Sequence, residues 1–295
     1  MRRWLLVAAW VTLPVTAGPA ASDALASWAP APRAVAEVML WGAWAAGLLA
    51  VVAPRPPLLT AIRTVAPTFV LLALATAIRA DTDALAAAGA VAATAAAAVL
   101  VAGSDLAVVA ANAIAYGDEQ RFPLRTPPGL YAGPLPAARA LVVAGAAGGP
   151  LLLADGEVVL GALALVLGVP LALFLVRALH SLSRRWVVLV PAGLVVADPL
   201  TLADPVLFIR EHIVAARAVP VSAPVPADVL DLRLGATAGS TLLTFDEPAE
   251  LLRAGRARRG GQLVSVSRLL VATVRRRELL GTAARRRIPV EVTPG

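Results

Sequence analysis

The sequence predicts a membrane-embedded bundle of about six helices, followed by a small β-rich barrel or sandwich closed by a C-terminal helix. Three observations predict it. Apolar residues make up 59% of the 295-residue chain, where soluble domains average roughly 45–50%, and the mean hydropathy is +0.79. They are gathered into six runs separated by short loops. Beyond Arg184 and Arg185 the runs give way to strand-like alternation and polar turns. The expected division is residues 1–183 as a transmembrane helical domain and 184–295 as a cytoplasmic β domain.

A spanning helix needs ~20 mostly apolar residues, because hydrocarbon offers no partner to free backbone groups. The six candidate spans are Trp4–Ala21, Val35–Ala53, Val65–Ile78, Ala84–Gly103, Leu130–Ala154 and Val158–Val176. The third is short and contains Pro67. The fourth is mostly alanine, weakly hydrophobic but small enough to let helices approach closely.

Cytoplasmic loops retain positive charge. One set of connections carries Arg2, Arg3, Arg55, Arg63, Arg121, Arg125, Arg177, Arg184 and Arg185; the alternate set carries only Arg33 and Arg79. This bias places both termini in the cytoplasm and the protein in the cell (inner) membrane as a multi-pass chain. The opening Met1-Arg2-Arg3 with its apolar run also fits a signal peptide, but Pro19 sits awkwardly for cleavage, which favours a retained first helix.

Asp105 and Asn112 lie seven residues apart near the end of the fourth span, on one helical face, with Tyr116 one turn beyond. A carboxylate at membrane depth is a functional candidate by default; the competing reading is a helix that ends near Gly103, with Asp105 capping an interfacial segment. Enzyme signatures are incomplete. Gly103-Ser104-Asp105 matches part of a membrane serine protease site, without a partner histidine. Ala115-Tyr116-Gly117-Asp118 is similar to the Gly-x-Gly-Asp of membrane aspartyl proteases but lacks the first glycine. No His-Glu-x-x-His occurs. Cysteine is absent and all 26 basic residues are arginine, which excludes thiolate and Schiff-base lysine chemistry. No enzyme activity, metal or cofactor is expected.

The connection Tyr116–Pro128 has mixed charges around Phe122 and three prolines. It reads equally as a segment docked at the headgroups or onto the soluble half, or as a solvated loop that its prolines keep extended. After it and the last two spans, Trp186–Val190 and Leu194–Ala197 flank Pro191-Ala192-Gly193 as a hairpin. Val206–Ile209, Ile213–Val219, Leu230–Leu234, Thr241–Phe245, Leu263–Ser267 and Leu269–Val274 supply further strand material. Arg275–Arg287 places Leu279, Leu280, Ala283 and Ala284 on one helical stripe.

That order of strands and helix resembles bacterial PH-like domains. Tyr116-Gly117-Asp118-Glu119 with Arg121-Phe122-Pro123-Leu124-Arg125, and Arg184-Arg185-Trp186-Val187-Val188 through Pro191-Ala192-Gly193 to Asp198-Pro199-Leu200, carry a further likeness. Through them the whole chain resembles a family of actinobacterial multi-pass membrane proteins. The resemblance implies a bent barrel capped by a helix and carries over no catalytic residue.

The region after Ser183 holds 16 arginines and 10 carboxylates, a net charge of +6 out of the chain's +7. Arg253, Arg256, Arg258, Arg259, Arg275, Arg276, Arg277, Arg285, Arg286 and Arg287 form the clusters. Near an anionic leaflet each basic residue adds about 1 kcal/mol of attraction; a plain solvated basic surface is the alternative. Nucleic acid is not an expected partner, because the clusters lack interleaved aromatics. The expected function is therefore a non-enzymatic integral membrane protein with a cytoplasmic basic PH-like module for anionic-lipid headgroups or another membrane protein. The alternative is a small transporter or channel subunit that uses Asp105 and Asn112.

Overall fold

In a computed structural model, residues 2–78, 83–255 and 261–291 are described. The chain forms two compact units. Met1–Ala110 with Pro134–His180 make one, and Ala111–Gly133 with Ser181–Gly295 make the other. The connection after the fourth apolar run thus belongs with the C-terminal region rather than with the helices on either side of it.

The first unit is helical. Its N-terminal part is a broken rod: α1 (Arg2–Val11), α2 (Leu13–Thr16) and α3 (Gly18–Leu25). Pro14 and Pro19 remove two backbone donors, and the breaks at Thr12 and Ala17 precede them. The long helices are α4 (Pro30–Val52), α5 (Pro56–Ala77), α6 (Ala84–Ala102), α8 (Pro134–Ala154) and α9 (Val158–Ser183); a short α7 (Ser104–Asn112) follows α6. Proline begins α4, α5 and α8, where its missing N–H is not needed. Asp83 caps α6 by accepting from the Ala86 N–H at 3.0 Å.

Among the described residues, five helices, α4, α5, α6, α8 and α9, are long and apolar enough to cross a membrane. The six-span expectation is met to that extent; the first expected span is the broken α1–α3 rod instead of one continuous helix. The third expected span begins nine residues earlier than Val65, at the Pro56-Pro57 start signal.

The rod is built into the bundle. Trp10 is fully buried, and its Nε1 donates to the Trp44 carbonyl at 2.9 Å while Trp44 Nε1 donates to the Trp10 carbonyl at 3.0 Å. The second bond has a local cause: Pro14 has no N–H for the carbonyl four residues before it. Gly47 makes room for the indole, since a Cβ there would overlap the Trp10 ring. Elsewhere Gly145 of α8 and Gly168 of α9 let the two backbones touch.

The second unit holds two sheets and a helix. The first sheet has order β1-β2-β3-β4, all antiparallel: β1 (Gln120–Pro123), β2 (Trp186–Val190), β3 (Gly193–Ala197) and β4 (Val206–Ile209). The second has order β6-β8-β7-β5-β9, from β5 (Ile213–Ala218), β6 (Leu230–Asp231), β7 (Ser240–Arg253), β8 (Gln262–Ala272) and β9 (Val290–Glu291). Helix α10 (Arg276–Arg285) precedes β9.

The hairpin and β4 lie where the alternation predicts. The runs Leu263–Ser267 and Leu269–Val274 are one strand, β8, and Leu230–Leu234 shrinks to two paired residues because the chain turns at Leu234 (φ 53°) and Gly235. Strand β7 is longer than predicted; it continues through an irregularity between Thr244 and Ala249, where Pro248 lacks a ladder N–H.

The core lies between the sheets. Phe208 of the first stacks on Phe245 of the second at 4.4 Å between centroids. Leu189, Leu194, Leu243, Leu269 and, from α10, Leu279 and Ala283 complete it.

Candidate functional site

The candidate site is the seam where the Ala111–Gly133 segment joins the two sheets. Strand β1 runs along β2 in the register Gln120↔Leu189 to Pro123↔Trp186. Its alternation sends Phe122 into the core, only 1% exposed, and Arg121 to the other face, where the guanidinium stands 5.1 Å from the Trp186 ring. Burial of a side chain like Phe122 contributes roughly 1.5–3 kcal/mol.

Past β1 the chain crosses from one sheet to the other. The Leu124 N–H donates to the Arg185 carbonyl (2.9 Å), the Arg125 N–H to the Ala272 carbonyl (2.8 Å) and the Val274 N–H to the Pro123 carbonyl (3.0 Å), while Leu124 bridges Thr273. The two sheets are therefore joined at one corner by a segment distant in sequence from the rest.

Arg185 sits behind this corner. Its Nε and Nη2 donate to both oxygens of Asp198 at 2.7 and 2.8 Å, and its Nη1 donates to the Arg125 carbonyl at 2.9 Å. Both side chains are buried. All three guanidinium nitrogens are satisfied, as a buried arginine requires.

The expected intramembrane pair separates. Asn112, at the end of α7, belongs to the second unit. Its side chain clamps the outer edge of β1: Nδ2 donates to the Arg121 carbonyl and Oδ1 accepts the Arg121 N–H, both at 2.9 Å. Asp105 lies in the first turn of α7, beyond the break at Gly103. It lines a groove of about 350 Å³ with Leu6, Pro54, Val99 and Leu106. His180 belongs to the first unit, with Nδ1 3.3 Å from Thr60 Oγ1; His212 belongs to the second, 3.1 Å from Asp246.

The expected lipid-binding arginines divide into two groups. Arg276 donates to the Val219 carbonyl (3.0 Å), and Arg286 donates to the Leu189 carbonyl (3.0 Å) and to that of Asp118. Arg275 pairs with Glu278 at 3.1 Å. Arg253, Arg277, Arg285 and Arg287 are exposed, with Arg285 also donating to Thr282 Oγ1. Arg256, Arg258 and Arg259 lie outside the described residues, as do Arg79 and the side chains of Arg2 and Arg3.

Three carboxyls are perturbed. The hydrogen bond from Arg121 holds Glu119 below its ordinary value, aided by the Tyr116 N–H and opposed by burial. Burial pushes Asp231 up, but the Arg233 guanidinium and N–H outweigh it and the net shift is downward. Glu211 is lowered by its own backbone N–H and by Arg210. These three shifts fit structural ion pairs.

Sequence reasoning took Arg185 only as an orientation-setting charge and missed its pairing with Asp198 and the strand character of Gln120–Pro123. The signal for the pairing was a charged residue beside a run of buried strand; for β1 it was the alternation around Phe122, masked by Pro123. Compared with protein-family models, with curated proteins and with solved structures, the chain matches none of them.

Proposed function

We propose that this chain is a non-enzymatic integral membrane protein whose C-terminal barrel is PH-like and engages anionic lipid headgroups or a protein partner. The strand pattern supports the fold reading. Four antiparallel strands (β1 to β4), then the meander β5, β7 and β8, then α10, follow the order of a PH-like barrel once β1 is counted. The resemblance to actinobacterial multi-pass proteins belongs to the same reading. So do the sixth span, with the α1–α3 rod crossing the membrane, and cytoplasmic termini.

The observation that carries the lipid reading is the exposed set Arg253, Arg277, Arg285 and Arg287 on a barrel joined to α9 by only Arg184 and Arg185. Tethering keeps weak headgroup contacts populated. The chain contains no cysteine, so Ala284→Cys beside Arg285 provides a unique label. The full-length protein is placed in nanodiscs of phosphatidylcholine alone and of phosphatidylcholine with phosphatidylglycerol. Slower thiol labelling in the anionic discs, reversed by salt, supports lipid contact; equal rates remove it and leave the protein-partner form.

A transporter or channel subunit is the second reading, favoured by the groove that Asp105 lines. It requires that Asp105→Cys react with aqueous thiol reagents. The engagement of Asn112 with the Arg121 backbone weighs against its part in a pathway.

A further inference from the structure

We propose that β1 is a displaceable strand, latched in place by Asn112. The strand is short, four residues, and ends in Pro123. It is continuous with α7 on one side and, through a 3-10 turn at Pro128–Leu130, with α8 on the other.

Two independent features mark the seam as poised. First, among the described residues the outer edge of β1 has no strand neighbour; the Asn112 carboxamide takes that place, satisfying one donor and one acceptor of Arg121 as a strand would. Ala111 next to it packs on Trp186 and Val188, so the end of α7 and the barrel face share one small apolar cluster. Second, among the described residues, three of the six buried side-chain polar atoms without a partner lie at this seam: Arg121 Nε, Arg125 Nε and Thr273 Oγ1. Buried unpaired polar groups lose water without compensation, so three such atoms oppose the docking of β1; Thr201 Oγ1 and Thr241 Oγ1 lie elsewhere in the same unit. Release of the strand uncovers the β2 edge and the seat of Phe122.

Hydrogen exchange on the full-length protein in detergent tests this. The reporters are the Leu124 and Arg125 amides, which bond across the seam and do not touch Asn112. In the wild type they are expected to exchange at least about tenfold faster than Leu243 and Leu269 on the central strands. Asn112→Ala accelerates them by about tenfold more and leaves Leu243 and Leu269 unchanged. Asn112→Asp, which keeps an acceptor for the Arg121 N–H, gives a smaller acceleration and stands in if the alanine variant does not fold. Equal exchange of seam and central amides, or no response of the seam to either substitution, overturns the proposal. Lipid enters none of these readouts, so the result is independent of headgroup binding.

Discussion

The guanidinium of Arg185 and the carboxylate of Asp198 form a two-point ion pair at 2.7 and 2.8 Å, with neither side chain more than 1% exposed. Arg185 immediately precedes β2, and Asp198 immediately follows β3. The pair therefore joins the open ends of the hairpin, and its remaining donor reaches Arg125 on the incoming segment. A single buried contact thus sets the place where three chain segments meet.

Asp198→Ala leaves that guanidinium buried without its counter-ion, which costs about 3–5 kcal/mol. Thermal unfolding of the full-length variant is expected to show early loss of β signal with the helical signal retained. The double change Arg185→Leu with Asp198→Leu is expected to recover much of the loss, because no charge remains to be desolvated. Equal melting of Asp198→Ala and the wild type contradicts the pairing.

Trp44→Phe removes the indole donor for the Trp10 carbonyl, whose usual helical partner is replaced by Pro14. An unsatisfied buried acceptor costs about 1–3 kcal/mol. Proteolysis near the N-terminus in detergent is expected to become faster while α8 and α9 stay resistant.

Gly145→Ala and Gly148→Ala are a matched pair on α8. A Cβ at Gly145 overlaps the backbone of Gly168, whereas one at Gly148 meets nothing within 4 Å. Overpacking of this kind costs about 1–3 kcal/mol. Gly145→Ala is expected to lower the melting temperature, and Gly148→Ala to leave it unchanged.

Acid is expected to loosen the turn before β1. The Glu119 value is lowered from 4.5 by Arg121 and the Tyr116 N–H. A depressed carboxyl contributes stability above its unfolded value and loses that contribution as pH falls through the folded one. Protection of the Tyr116 amide, which donates to Glu119 Oε2, is therefore expected to hold from neutral pH down to 4.5 and to fall below it. In Glu119→Gln this acid step disappears.

The arginines show how far local reading reaches. Arg276 and Arg277 are adjacent and identical in sequence terms, yet one holds the Val219 carbonyl and the other faces solvent. The same holds for Arg286 and Arg287. A charge run announces a basic segment; which members become struts depends on carbonyls more than fifty residues away.

The amino-acid sequence by itself determined the five long apolar helices, the β2–β3 hairpin, β4 and the terminal helix, because hydropathy and short-range periodicity act within one segment. Trp4–Ala21 reads in the sequence as one unbroken span; the structure breaks it at Thr12 and Ala17, ahead of Pro14 and Pro19. Only the tertiary structure decided that Gln120–Pro123 is the edge strand of the first sheet, that Asn112 serves its edge and that Arg185 is buried with Asp198. Each of those depends on backbone groups brought together from distant parts of the chain, where burial rather than local propensity selects the partner.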